Sequence, residues 1–217
     1  MSTHPITEEL LSGTLVREPV GNEQGYWSGA PGWTWDETDQ AAYVCYRIRR
    51  PRGVEPDRGG ESRIAKTTDF KKFEDVWAVQ KSTYNSASIE KSTLKRGLDG
   101  RWRYFTSYVA PEDGRWCTTI NKADSVESLD PANTQRLFTA TDFDLEGVKD
   151  PWLIDVNGTY HLFLSVAINT ASTNDSSHES LDIFNTGECK SATALATSTD
   201  LDNWDWQGIV LQPEGDT

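Results

Sequence analysis

The feature that most constrains the fold of this chain is a pattern that returns about every 60 residues. A turn signal followed by an aromatic, alternating strand begins at Asp39, at Asp99 and at Asn157. Two of the three copies open with Asp-Gly or Asn-Gly, which is the strongest short-range signal for a β-hairpin. A period near 60, without helical periodicity longer than a turn, predicts the four-stranded blades of a β-propeller.

A second pattern follows each aromatic strand and supports the same repeat. A strand running into a polar turn is found at residues 64–73 and 195–204, with a weaker version at 120–126. We therefore expect an all-β chain with an N-terminal segment at 1–24 and a propeller domain at 25–217. Blade 1 is predicted at about 25–79, blade 2 at about 84–138 and blade 3 at about 146–211, with the start of the next linker reaching 217. A β-solenoid would need a shorter period, and a β-sandwich would not repeat.

Composition agrees with a β-fold and excludes some partners. The chain of 217 residues is 36% hydrophobic and contains 9 Trp, 7 Tyr and 7 Phe, residue types that suit pleated, half-buried surfaces. Its formal net charge of −13 would repel nucleic acid and anionic membrane surfaces. No run approaches the ~18 apolar residues of a membrane helix. We expect no nucleic-acid partner and no membrane association, and the sequence leaves the oligomeric state unknown.

Cysteine and histidine usage predicts no metal site and no cofactor. Cys45, Cys117 and Cys189 are odd in number and widely spaced, as expected of small core residues in a reducing compartment. The three histidines lack the spacing of zinc ligands. Residues 1–11 have neither a basic nor an apolar region of a signal peptide, so a cytoplasmic location is predicted.

Aligning the repeats on their hairpins brings Ala30, Glu90 and Asp150 to one structural position. The first strand of each propeller blade lines the central channel, so equivalent positions form a ring around the axis. Carboxylates that face each other in a narrow channel raise one another's pKa, and paired carboxyl groups are what glycoside hydrolysis uses. The alternatives are a simple Asp-Pro turn at Asp150 and an ordinary exposed carboxylate at Glu90.

Aromatic and basic residues near the ring are candidates for substrate binding. Trp27, Trp33 and Trp35 flank the blade 1 position and would form a platform for a sugar face, or fill the space between blades equally well. Arg47 and Lys149 are candidates to contact substrate, although a solvated loop is the stronger interpretation of the arginine cluster that contains Arg47. The polar insertion at 169–187 favours a mobile surface loop, with a role in shaping a pocket as the alternative.

Three stretches carry a resemblance to a known group of enzymes: Val-Lys-Asp-Pro at 148–151, Ser-Ile-Glu at 88–90, and the residues from Ala196 to Trp204. From about residue 25 to 212, the chain resembles the five-bladed propeller glycosidases of family 43 and the related families 32, 62, 117 and 130. The resemblance implies a hydrolase of glycosidic bonds acting in carbohydrate metabolism. It implies that Asp150 tunes the pKa of the catalytic acid and positions the sugar. Glu90 resembles the second-blade residue that lines the sugar subsite.

Two departures from that pattern weaken the catalytic assignment. The blade 1 position, where the family has its base Asp, carries Ala30, and Asp36 is the nearest catalytic candidate. The family's acid Glu would fall near position 221, beyond Thr217, and five blades would need roughly 300 residues. We therefore expect a truncated, open propeller that is poorly soluble or associated. The alternative function is a catalytically inactive carbohydrate-binding propeller; a WD or kelch interaction propeller is disfavoured by its shorter repeat.

Overall fold

The computed structural model describes Gly13 and residues 15–214 as strands joined by turns. The strands are β1 (Trp27–Asp36), β2 (Ala41–Arg49), β3 (Glu61–Thr67), β4 (Glu74–Gln80), β5 (Ile89–Arg96), β6 (Trp102–Val109), β7 (Trp116–Ala123), β8 (Gln135–Phe138), β9 (Gly147–Val156), β10 (Thr159–Ile168), β11 (Lys190–Ser198) and β12 (Asp205–Leu211). One-turn 3-10 helices lie at Lys81–Tyr84, Pro131–Asn133, Thr141–Phe143 and Asp175–His178. The stretch 1–11 considered for a signal peptide lies outside the described residues. The segment predicted at 1–24 and the end of the chain to 217 lie partly outside them.

The strands form three antiparallel, four-stranded units in chain order. The first unit is the sheet β1-β2-β3-β4, and β5 to β8 and β9 to β12 form two further meanders. A single parallel bridge between Trp116 and Gly147 joins the second meander to the third. The predicted all-β fold of repeated blades is confirmed, and within the described residues the blades do not close into a ring.

The first strands of the three units lie side by side. β5 contacts both β1 and β9, which places these three strands at the centre of the array. Gly32 on β1 shows how close the approach is, because a Cβ added there would stand 2.2 Å from the backbone oxygen of Ser92 on β5. A residue larger than glycine would therefore push the two inner strands apart.

Each innermost strand carries the same irregularity. In β1, β5 and β9, pairing with the second strand is interrupted by two residues that face one residue of the partner. The extra pairs are Ala30-Pro31, Glu90-Lys91 and Asp150-Pro151. Bulges of this kind bend a strand and re-aim side chains.

The hydrophobic core lies between neighbouring blades. One cluster joins blades 1 and 2 and includes Tyr43, Leu94 and Trp102, while another joins blades 2 and 3 and includes Phe105 and Leu162. The three cysteines are buried and free. No helix among the described residues is long and apolar enough to cross a membrane.

Candidate functional site

The bulges bring the three ring positions to one cavity. Ala30, Glu90 and Asp150 line a space of about 420 Å³ where β1, β5 and β9 converge, together with Arg47 and Lys91. The convergence follows from the repeat, because the same interruption occurs at the same distance from the end of each inner strand. The hairpin alignment of the sequence thus grouped side chains that are also neighbours in space.

Glu90 is held by an arginine from the neighbouring blade. Arg47 of β2 is buried; its Nη2 lies 2.7 Å from Glu90 Oε2 and its Nη1 donates to the Ile89 carbonyl at 3.1 Å. Burial raises the pKa of Glu90, and the positive charges of Arg47 and Lys149 oppose that rise. A carboxyl of this kind keeps its proton to higher pH than an exposed glutamate does.

Asp150 is fixed by its backbone and by its neighbours. Its φ of 57° is left-handed, a conformation that Asp adopts more readily than most residues. The Asp150 N–H donates to Ser107 Oγ at 3.1 Å, and its Oδ1 accepts from the Lys91 N–H at 3.4 Å. Lys149 Nζ lies 3.4 Å from Asp150 Oδ2. The carboxylate therefore has a set orientation within the cavity.

Ala30 adopts the same backbone conformation as Asp150, with a φ of 53°. Each of the two residues is followed by a proline, at Pro31 and Pro151. The alanine methyl thus occupies the place where blade 3 presents a carboxylate.

Asp36 is not brought to this cavity. It lies six residues beyond Ala30, which is about 20 Å along an extended strand. Its Oδ2 accepts from Arg96 Nε at 3.1 Å, and its Oδ1 accepts from the Asp39 N–H at 2.8 Å. The carboxylate of Asp36 therefore hydrogen-bonds within the hairpin that follows β1 and to the neighbouring blade.

The three tryptophans are also divided. Trp33 and Trp35 stack on Phe70, each at a ring-centroid distance of 5.8 Å, and they lie away from Glu90 and Asp150. Trp27 lies beside the cavity, with the Arg47 guanidinium 5.2 Å from its ring centroid. Two of the predicted substrate-binding residues, Arg47 and Lys149, lie next to the two carboxylates. Trp27 contacts the Arg47 guanidinium through its ring.

Sequence reasoning missed a second cavity next to the first. It has a volume of about 210 Å³, and its lining includes Arg49, Arg58, Asp182 and Asn185. Two of these residues come from the insertion at 169–187. A mobile surface loop is the expectation from its composition, but the insertion packs on the blades through the buried Ile183. The arginine-rich stretch 47–58 was the available signal for this cavity.

No group of three or more His, Cys, Asp or Glu side chains that could hold a metal ion occurs in the part of the chain that the structure describes. The chemistry available at the paired cavities comes from two carboxyl groups and several cationic side chains. Such groups accept hydrogen bonds from sugar hydroxyls, exchange a proton and bind anions.

Several solved structures with a similar arrangement of strands are described as glycosidases. The chain is similar to a family 117 glycoside hydrolase from Zobellia galactanivorans (12% identity, 90% of this chain, 60% of that chain, TM-score 0.57). It is similar to an α-L-arabinofuranosidase from Fusarium graminearum (13%, 91%, 52%, TM-score 0.55). A family 43 glycoside hydrolase from a capybara gut metagenome matches at 12% identity, 88% of this chain, 32% of that chain and TM-score 0.55.

At these identities the likeness is one of fold. The family 43 and family 117 enzymes are five-bladed β-propellers, and the three blades of this chain have the same fold as blades of that propeller type. The chain spans between about a third and three fifths of the length of the three structures. No protein-family model matches the sequence, and the search of curated proteins finds no relative.

Proposed function

We propose that this protein is a glycoside hydrolase, related to the family 43 enzymes, that acts on glycosidic bonds of oligo- or polysaccharides at the axial cavity. The observation that carries the proposal is the convergence of Glu90 and Asp150 on one cavity through equivalent bulges of the inner strands. The three solved structures reported above are glycosidases by name, and this likeness supports a carbohydrate as the expected partner.

The two carboxyl groups have different roles in this proposal. Asp150 has a fixed orientation and positions a sugar by accepting hydrogen bonds from its hydroxyls. Glu90 is the second carboxyl group of the subsite; burial raises its pKa, and Arg47 fixes its position. A complete glycosidase uses a pair of carboxyl groups on either side of the scissile bond.

The test compares Glu90→Gln and Asp150→Asn with the unchanged protein. We expect each variant to lose most of the hydrolysis of arabinan, xylan and galactan oligosaccharides, and to bind those sugars about tenfold more weakly, since each substitution removes a charge-assisted hydrogen bond. Product release and calorimetry measure the two effects. Asp124→Asn, an exposed carboxylate outside the cavity, is the matched control. Unchanged binding and hydrolysis in both cavity variants would rule out this site.

Ala30 favours a second candidate, a carbohydrate-binding propeller without hydrolytic activity. The position that resembles the family's base carries a methyl group, which neither activates water nor accepts a proton. This candidate predicts saturable sugar binding that depends on Asp150, without product release over long incubation. Product release that disappears in Asp150→Asn would reject it.

The proposal also treats residues 25–217 as one propeller domain in a cytoplasmic protein. Three free, buried cysteines are compatible with a reducing compartment. Cell fractionation is the test, and recovery of the protein from the secreted fraction would overturn the cytoplasmic assignment.

A further inference from the structure

The second cavity concentrates positive charge in a strongly acidic chain. Four cationic side chains line its 210 Å³ in a protein whose formal net charge is −13: Arg47, Arg49, Arg58 and Lys149. Two carboxylates line it with them, those of Glu90 and Asp182. The lining therefore carries more positive than negative charge.

The positive charge is only partly neutralised by neighbours. Arg47 pairs with Glu90 at 2.7 Å, Arg58 Nη1 lies 3.4 Å from Asp182 Oδ2, and Lys149 Nζ lies 3.4 Å from Asp150 Oδ2 outside this cavity. Arg49 has no ion pair with any residue that the structure describes, and its Nε is buried without a hydrogen-bond partner. Burial and the nearby charges of Arg58 and Arg47 lower the pKa of Arg49. An anion entering the cavity would relieve this repulsion.

The cationic groups are held in place from several sides. The Arg49 guanidinium lies 5.7 Å from the Trp27 ring centroid. Lys149 Nζ lies 4.6 Å from the ring centroid of Phe184 and 5.2 Å from that of Trp116. Cations held over aromatic rings lose little freedom when they bind a ligand, which favours affinity.

Two loops meet to build the cavity. Arg52 Nη2 donates to the Ser180 carbonyl at 3.1 Å, and Arg58 reaches Asp182, so the loop between β2 and β3 contacts the insertion after β10. Gly59, with a φ of 67°, lets the first loop approach blade 2. A Cβ there would stand 1.9 Å from Ser88 Oγ. Both loops are thus fixed at the rim of the axial site.

We propose that this cavity binds an oxyanion carried by the sugar in the adjoining axial site, so that the substrate class is an acidic saccharide. Arg47, Glu90 and Lys149 contribute to the second cavity, and Arg47 and Glu90 also line the first. A sugar ring in the axial site would therefore place an attached carboxylate or sulfate next to Arg49 and Arg58. Guanidinium groups bind planar carboxylates through paired hydrogen bonds. The proposal deepens the proposed function and rests on it.

The test measures binding of matched sugars to the full chain by calorimetry. D-galacturonate and D-galactose differ only at C6, as do D-glucuronate and D-glucose. D-galactose 6-sulfate tests whether a sulfate can replace the carboxylate, and inorganic sulfate tests whether an anion binds without a sugar. We expect each acidic sugar to bind about tenfold more tightly than its neutral counterpart. Raising the salt concentration should reduce this preference.

Substitution of Arg49 tests the origin of the preference. Arg49→Gln should bring acidic and neutral sugars to similar affinity, and Arg49→Lys should restore part of the difference. Arg101→Gln is the matched control, because Arg101 is an exposed arginine that pairs with Asp124 outside both cavities. Thermal melting of each variant separates lost binding from lost folding.

The outcomes distinguish this inference from the proposed function. Equal binding of acidic and neutral sugars overturns the acidic-saccharide inference and leaves the carbohydrate site standing. Binding of inorganic sulfate as tightly as galacturonate would show that the anion does not need an attached sugar, and would overturn the acidic-saccharide inference. Absence of binding by every sugar overturns both proposals. A preference that Arg49→Gln leaves unchanged also contradicts the inference.

Discussion

At the scale of single residues, Glu90 is subject to two opposing effects. Burial favours the neutral carboxyl, whereas Arg47 at 2.7 Å favours the charged one, and the pKa remains raised above its ordinary value of 4.5. A group whose pKa is raised in the folded state favours folding below its ordinary pKa and loses that contribution as pH rises through the folded value. Burial and Arg47 together therefore decide the pH at which Glu90 gains its charge.

Removing the arginine charge should raise the pKa of Glu90 further. In Arg47→Met the carboxyl keeps its burial and loses its nearest cation, so its titration moves to higher pH. Carbon-13 NMR of the glutamate side-chain carboxyl measures the midpoint in both proteins. Arg101→Met should leave the midpoint in place. A Glu90 midpoint that stays in place or falls in Arg47→Met would contradict the effect assigned to the Arg47 charge.

The carboxylates of the cavity could be predicted from sequence, but Asp36 could not be placed by the same means. Glu90 and Asp150 lie at similar distances before their hairpins, and spacing along a strand translates directly into position. Asp36 is close to Ala30 in sequence, yet an extended strand carries it away to Arg96. The sequence did not indicate that Arg49 lines a cavity. That cavity forms where a loop meets an insertion far along the chain, through the hydrogen bond between Arg52 and Ser180, which are 128 residues apart.

At the scale of elements, blades 1 and 3 share one turn between the third and fourth strands. Ser198 Oγ accepts from the Leu201 N–H at 2.9 Å, and Asp200 Oδ1 accepts from the Asn203 N–H at 2.7 Å. In blade 1, Thr67 and Asp69 make the equivalent hydrogen bonds. Phe70 and Leu201 at these turns are both left-handed, with φ of 57° and 66°. The sequence repeat at 64–73 and 195–204 therefore encodes a defined turn.

The weaker motif of blade 2 has a different turn. There the backbone N–H of Ser125 donates to Ser128 Oγ, and the backbone N–H of Ser128 donates to Ser125 Oγ. No described aspartate of blade 2 accepts the turn hydrogen bonds that Asp69 and Asp200 accept. Sequence alone predicted the strands of blade 2 from the repeat. It could not predict this turn, because serine pairs form several local hydrogen-bonding arrangements.

The shared turn predicts a specific response to acid. Backbone N–H donors, that of Asn203 first, hold the pKa of Asp200 below its usual 3.8. Its stabilising contribution is present above pH 3.8 and is lost as pH falls through the folded pKa. Asp200→Asn should have a lower melting temperature than the unchanged protein at pH 7, and the difference between the two melting temperatures should be smaller at pH 3. Asp69→Asn should show the same pH dependence. A difference in melting temperature that does not change with pH would contradict this role of the turn aspartates.

At the scale of the whole molecule, arginines of blade 2 connect it to both neighbours. Arg96 pairs with Asp36 and Asp39 of blade 1, and the buried Arg103 lies 2.6 Å from Asp202 of blade 3. These links lie beside the two apolar clusters between the blades. On the outer strand of blade 3, three large apolar side chains remain exposed: Ile209, Val210 and Leu211.

This exposed surface predicts that the 217-residue chain associates. Leu211 is 69% and Ile209 is 42% exposed on the outer strand of blade 3, where unpaired backbone groups also invite pairing with another chain. Light scattering after size exclusion should show species larger than a monomer, and Ile209→Lys should reduce them. Leu98→Lys, at an equally apolar but isolated loop position, should not. A monomer with a single cooperative melt would refute the prediction.

The paired bulges of β1 and β9 have a consequence for how such a protein diversifies. Both place a left-handed residue before a proline, at Ala30 and at Asp150, so the main chain tolerates either side chain in the same frame. A change of the second base turns two of the alanine codons into aspartate codons and the other two into glutamate codons. A single point mutation can thus exchange methyl for carboxylate at the propeller axis without remodelling the strand. Loss and recovery of an acidic group there is a short evolutionary step, open to laboratory selection in either direction.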